Sequence, residues 1–359
     1  MSCVVQASPL TALDFRSTGN DECSIQLPND IGFGNVSSGG FVASLLNARA
    51  VKYAAQHPKI HQQADVRSST VSFFRPIFPA KGLVILKVEE LSIGKAWSTL
   101  RVGAFQESPK LCATADIVVA SLSIPGVTLN THWSPSFSAP PVSLAALETH
   151  SDPSWTCYHT AFHPQGFRRG HSYIKNYVPL SWPEPITCIE QWVAPGWDCL
   201  PRGSRDTSLP EARWTNSLLP FVADLHLPVQ ENFLPHTPGT KLPLGSVAAT
   251  LGFAAAQKKA RDQGEEKWRD VDGDGAIVFD AKLIHVSLTM GCEVKKKLPG
   301  TGVRFLFVRA EVKKVVAGRM DLEVLIFDEQ LELVMVGWQV AHLIAAESKN
   351  ERKVGKTSL

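Results

Sequence analysis

From Phe41 to Ala55 the chain reads FVASLLNARAVKYAA, with apolar residues on nearly every side of the helical wheel. A helix without a clean polar face is buried on most sides, and Pro58 ends it soon afterwards. The period then changes. Four runs rich in β-branched and apolar residues follow: Ser69–Phe78, Leu83–Gly94, Ala96–Gln106 and Leu111–Leu122. Short turns with Gly, Pro, Lys and Ser separate them, as expected of antiparallel strands in a meander. One buried helix followed by a meander is the first predicted unit.

From about Pro125 to Pro210 the texture is Pro-, Trp- and Ser-rich: five of the nine tryptophans stand there, at 133, 155, 182, 192 and 197, and a sixth follows at 214. Its first part reads as a linker or covering loop, its second as one or two strands. The first pattern then recurs. An apolar helical stretch, Ala212–Pro228, precedes strand-like runs at Leu283–Val294, Val303–Val315, Arg319–Asp328 and Leu331–Ile344. FRPIFPAKGLVILKVEEL corresponds to KLPGTGVRFLFVRAEV, and GKAWSTLRVGAFQ to GRMDLEVLIFDEQ. This is a duplicated unit. The second copy carries an insertion at about 229–281, whose PLGSVAATLGFAAAQKKARDQG predicts an extra helix. The expected fold is α+β: a double hotdog, with two antiparallel sheets each wrapped around a long central helix. Edge-to-edge pairing of the sheets would use up their exposed edges. The expected boundaries are 1–125 for the first unit, 126–170 for the linker, and 171–350 for the second.

Composition narrows the classes. The 359 residues are 44% hydrophobic and 19% charged, with a net charge of +2. A packed core is within reach, and nothing argues for a nucleic-acid partner. No apolar run is long enough to span a membrane. MSCVVQASPLTALDF lacks the basic and apolar regions of a secretory signal, and the terminal GKTSL resembles a peroxisomal ending only loosely. Seven cysteines without a Cys-x-x-Cys read as reduced thiols. A cytoplasmic location is the expectation.

The glycine-rich GFGNVSSGG at Gly32–Gly40 opens the first helix. Ser37 stands where a dinucleotide fingerprint needs its third glycine, and there is no P-loop and no Gly-x-Ser-x-Gly. What remains is a helix start kept bare so that another backbone or a ligand can approach. DVDGDG at Asp270–Gly275 imitates a calcium loop, but Ala281 occupies the position of the bidentate glutamate. Pro58 spoils a helical His57/His61 ligand pair. Lys295, Lys296 and Lys297 read as a solvated run at a strand end. Three residues are harder to dismiss. Asp224 ends an apolar helix, where the dipole disfavours an anion. Gln339 and Thr289 lie in otherwise apolar strands. Together they offer a base, an amide and a hydroxyl to one water.

GGFVASLLNARA, STVSFFRPIF, LLPFVADLHLP, TMGCEVKKKLPGTGVRF and DEQLELVMVGWQ together resemble the acyl-CoA thioesterase II family of double-hotdog thioesterases, in its divergent fungal form. The resemblance implies that the family's catalytic Asp, Thr and Gln fall on Asp224, Thr289 and Gln339, with Ser287 and His285 as alternatives if the strand register differs. The chain departs from the family at Gly291-Cys292, in place of Asp-His, and at Val340-Ala341, in place of Glu-Gly. The implied activity is hydrolysis of an acyl-CoA or a carrier-bound acyl or polyketide thioester, without cofactor or metal. Gly39, Gly40 and Phe41 would serve substrate binding at the helix start. The alternative is a non-hydrolytic hotdog protein that binds such a ligand and promotes cyclisation or dehydration, although no hydratase-type His-x4-Gly-x4-Pro is visible. A homo-oligomer fits either reading.

Overall fold

The computed structural model describes residues 8–346 apart from 12, 18 and 108. Cys3, most of the amino-terminal run and the GKTSL ending lie outside the described residues. The first half comprises β1 (Arg16–Ser17), β2 (Glu22–Ile25), a small hairpin of β3 (Gly32–Phe33) and β4 (Val36–Ser37), helix α1 (Gly39–Gln56), and strands β5 (Asp65–Phe73), β6 (Val84–Ser92), β7 (Trp97–Phe105) and β8 (Leu111–Ala120). Helix α2 (Leu144–Glu148) and strands β9 (Trp155–Tyr158), β10 (Ile174–Pro179) and β11 (Cys188–Pro195) follow. The second half adds α3 (Leu219–Asp224), α4 (Val247–Asp262), β12 (Leu283–Val294), β13 (Leu306–Glu311), β14 (Val315–Val316), β15 (Arg319–Phe327) and β16 (Leu333–Ala345).

The duplication is visible in the strand order. The first copy runs β6-β7-β8-β5 and the second β13-β15-β16-β12, so each first strand returns beside its last. The two first strands, β5 and β12, pair antiparallel, Ser72 opposite Thr289 and Ser68 opposite Glu293. The copies therefore share one continuous fourteen-stranded sheet rather than forming two separate ones. The edges are extended by β2 and β1 on one side and by β11, β10 and β9 on the other.

The central helices are unequal. In the first copy α1 has 18 residues and packs its apolar surface against β5 to β8. Its counterpart α3 has only six, after a 3-10 turn at Asn216–Leu218. A long central helix is thus present once, not twice. Pro220 in its first turn suits a helix start. Upstream, Trp214 instead bridges Val303 through backbone hydrogen bonds in both directions. Both helices sit in one core, with Phe41 of α1 edge-on to Phe221 of α3 at 6.4 Å. A second apolar cluster lies around Trp155, Trp192, Phe305, Phe307 and Phe327, covered by Phe137 and α2. Glu190 accepts from the amides of Ser138 and Ala139, and Arg304 joins Glu148 of α2 to the buried Asp198, both at 2.8 Å.

Candidate active site

Asp224, the last residue of α3, is placed at the wrong end of its own helix for an anion. The structure supplies the compensation from elsewhere. The carboxylate sits at the amino terminus of α1, where amides lack helical partners and the dipole favours negative charge. Its Oδ2 accepts from the Gly40 amide at 2.7 Å and from the Ser38 hydroxyl at 3.1 Å. Its Oδ1 accepts from Gln339 Nε2 at 3.1 Å. Ser38 is the N-cap of α1 but makes no side-chain cap; Asp224 supplies the acceptor for that first turn.

A Cβ on Gly40 would lie 2.4 Å from Asp224 Cβ and 2.6 Å from the Pro220 carbonyl oxygen. Only a bare backbone lets α3 lie so close to α1, and Ser44 ties the crossing by accepting from the Phe221 amide at 3.2 Å. Gly32 closes the preceding hairpin, where a Cβ would stand 2.3 Å from the Val36 carbonyl.

Gln339 is buried on β16 opposite Met290 of β12. Thr289 is opposite Val340, which is exposed, and opposite Ser72. Partners across a ladder share a face and neighbours alternate. Thr289 therefore belongs to the outer face, away from Asp224 and Gln339. The cause is a bulge between Ser287 and Thr289, which reverses the parity of the strand. Ser287 pairs with the buried Ala341 and His285 with Leu343, which puts both on the inner face. Of the two hydroxyls, that of Ser287 is the one on the face of Gln339, and Ser287 lines the same cavity as Asp224. His285 is held below the ordinary imidazole range by burial, against the pull of the Asp224 charge, and its Nε2 has no hydrogen-bond partner.

Asp224, His285 and Ser287 open onto one cavity of about 760 Å³, well within the range for small-molecule sites; Gln339 is joined to it through Asp224. It exists because β5 pairs with β12 only from Thr289 to Glu293. Beyond that point Leu283–Leu288 faces the chain at Phe73–Ile77 across the opening. Phe33, Phe73 and Phe74 line the cavity from the first half, and Phe167 stacks on Phe279 of the insertion at 4.5 Å. Of the three residues expected to bind substrate, Gly39 is on the wall. Gly40 serves Asp224 with its amide, and Phe41 is fully buried in the core.

Elsewhere the remaining motifs are occupied structurally. In DVDGDG, Asp270 pairs with His163 and Arg202, while Asp274 accepts from the Tyr158 hydroxyl and the Ala276 amide. Lys295 pairs with Glu293, Lys296 with Asp328 and Glu332, and Lys297 with Asp65. His57 lies 3.1 Å from Glu90. Among the described residues no helix is long and apolar enough to cross a membrane.

Residues 27–120 match the family model described as the acyl-CoA thioesterase N-terminal domain, and residues 189–343 match the acyl-CoA thioesterase C-terminal domain. The two matches together span more than half of the 359 residues. The chain belongs to the acyl-CoA thioesterase family. It is similar to the thioesterase-like protein TwmA of Talaromyces wortmannii, 24% identical over 346 residues, covering 90% of this chain and 88% of that protein. Among solved structures it resembles a conserved protein of unknown function with a hot dog fold from Alicyclobacillus acidocaldarius, with a TM-score of 0.57, 13% identity, and 94% and 97% of the two chains covered. It also resembles the acyl-CoA thioesterase II TesB2 of Mycobacterium marinum, with a TM-score of 0.51, 16% identity, and 93% and 97% covered. At these identities the structural likeness establishes the fold, which is the double hotdog arrangement.

This acyl-CoA thioesterase family member has cavity residues that no sequence motif announced. Ser38 stood in the glycine-rich stretch without a visible role. Glu231, His226 and His171 are buried at the cavity with no pattern around them. Burial raises the Glu231 carboxyl from an ordinary 4.5 to about 7, the positive charges of Arg168 and Lys282 opposing only in part. A raised acid lowers stability where the folded state must ionise it. The penalty is absent below pH 4.5, grows between 4.5 and about 7, and is complete above, at roughly 3 kcal/mol. Glu231→Gln is therefore expected to melt higher than wild type at pH 8, with the difference shrinking towards zero by pH 4.5. Melting curves across that window check it; a difference that does not change with pH contradicts the assignment.

Proposed function

We propose that the protein hydrolyses an acyl-CoA or a carrier-bound acyl or polyketide thioester, with Asp224 as general base. Water held by Asp224, the Gln339 carboxamide and the Ser287 hydroxyl attacks the thioester carbonyl carbon. Its proton passes to the Asp224 carboxylate as the new C–O bond forms. The tetrahedral intermediate then expels sulfur, and the C–S bond breaks as the proton returns to the leaving thiolate. The amino-terminal turn of α1, with Gly39 on the cavity wall, supplies amides and a dipole to the developing oxyanion. No covalent acyl-enzyme is needed.

The observation that carries this reading is the Asp224 carboxylate on the wall of an apolar cavity, hydrogen-bonded to Gln339. Among the described residues the carboxamide Oε1 has no hydrogen-bond partner, which leaves it an acceptor for a water. Purified protein mixed with a panel of acyl-CoAs, with thiol release followed by a chromogenic reagent, tests it. Absence of release at every chain length, with Asp224→Asn indistinguishable from wild type, favours a binding or cyclising scaffold instead.

The two hydroxyls give a sharper internal test. Ser287→Ala is expected to lower kcat about tenfold, the worth of one hydrogen bond to a reacting group. Thr289→Val, on the outer face, is expected to change kcat by less than about twofold, since surface substitutions are usually near neutral. Equal losses in the two variants would contradict the bulge-shifted register.

A further inference from the structure

We propose that the acyl chain accepted by this cavity carries hydroxyl or keto oxygens remote from its thioester, received by Glu231, His226 and His171. The proposal rests on the thioesterase reading and names the substrate class for it.

Besides Ser37 Oγ and His285 Nε2, three buried polar atoms of cavity-lining residues have no hydrogen-bond partner among the described residues: Glu231 Oε2, His226 Nε2 and His171 Nδ1. Their residues are 3%, 6% and 9% exposed, so bulk water does not serve them. They belong to three separate segments. His171 precedes β10, His226 follows α3, and Glu231 lies in the 3-10 turn Val229–Phe233 that begins the insertion. Electrostatic couplings link them to their neighbours and, through His285, to Asp224. His285 feels Asp224, His226 feels His285, His171 feels His226 and Arg168, and Glu231 feels Arg168. The cavity thus has an apolar aromatic wall and a polar line along it.

An unadorned alkyl chain would desolvate this line without meeting it, which is unfavourable for each orphaned group. A chain bearing oxygens meets it. Burial holds His226 at about 3 and His171 well below the ordinary range, so both rings are neutral and each offers one donor and one acceptor. Burial raises the Glu231 carboxyl to about 7, so near neutral pH it is roughly half protonated, and in that form it donates to a carbonyl or shares a proton with a hydroxyl. A site built to hydrogen-bond a substrate oxygen rejects the analogue lacking it more strongly than an apolar pocket rejects an extra group.

The test uses acyl-CoAs of one chain length, unsubstituted or bearing a single hydroxyl or keto group moved along the chain. Wild type is expected to show, for at least one position, a kcat/KM at least about tenfold above the unsubstituted ester. Glu231→Leu, close in shape but apolar, is expected to lower kcat/KM for the favoured oxygen-bearing ester about tenfold and so to lose that preference. Glu231→Gln, which keeps donor and acceptor, is expected to retain most of the preference. The same esters are titrated calorimetrically into the Asp224→Asn variant. A preference in Kd without thiol release from wild type supports the polar line while overturning hydrolysis. No preference in kcat/KM or in Kd at any position, or a preference untouched by Glu231→Leu, overturns the proposal.

Discussion

Asp224→Asn is expected to lower kcat by roughly 10²–10⁴-fold, the span that a positioned general base contributes, with KM nearly unchanged. The geometry makes this a clean substitution. The asparagine oxygen can take the place of Oδ2, accepting from Gly40 and Ser38, and the new amide can donate towards Gln339, whose carboxamide rotates to present its oxygen. Packing and hydrogen bonding survive, while the capacity to take a proton from water does not. Loss of kcat with retained binding marks an interaction made in the transition state. Thiol release under single-turnover conditions, alongside melting curves to confirm the fold, reads the outcome. A variant within threefold of wild type would remove Asp224 from the chemistry.

Gly40→Ala is the second large effect. The added Cβ would stand 2.4 Å from Asp224 Cβ, 2.6 Å from the Pro220 oxygen and 3.0 Å from Phe221 Cα. Two of these neighbours are backbone atoms, so α3 must move off α1. Overpacking of this kind costs about 1–3 kcal/mol. The same displacement drags the carboxylate from the helix start, and a misplacement near 1 Å costs on the order of 10²-fold in rate. Gly39→Ala is the control, because its Cβ would meet Asp224 Oδ2 and Phe73 at 3.6 Å, ordinary contact distances. The expected result is a destabilised, nearly inactive Gly40→Ala beside a Gly39→Ala that folds like wild type. Equal behaviour of the two would show that close approach at Gly40 is not what holds the base.

Much of this molecule can be read from its residues. The period of FVASLLNARAVKYAA announced α1, and the recurrence of a helix with four strands announced the duplicated strand order. Gln339 and Asp224 were conspicuous because polar side chains in apolar surroundings need partners. What escaped reading depends on long-range geometry. An anion at the end of α3 looks unfavourable until the start of α1, 184 positions away in sequence, is brought against it. The family resemblance points to Thr289, and strict alternation along LIHVSLTMGCEV puts Ser287 and Thr289 on one face; nothing local shows the bulge that separates them. The helical reading of Ala212–Pro228 holds only for Asn216–Asp224; Trp214 is claimed by Val303. The insertion read correctly as containing a helix, α4, capped by Ser246. Its role as a cavity wall, through Leu244, Gly245 and Phe279, depends on tertiary packing that local pattern does not encode.

The central claim is that water, activated by a carboxylate shared between the two halves, attacks the thioester directly. One turnover with enzyme in excess, carried out in water enriched in oxygen-18 and followed by mass spectrometry, tests it most directly. The account predicts one heavy oxygen in the released acid and none in the peptide containing Asp224. Label in that peptide, an unlabelled acid, or no acid at all would contradict it.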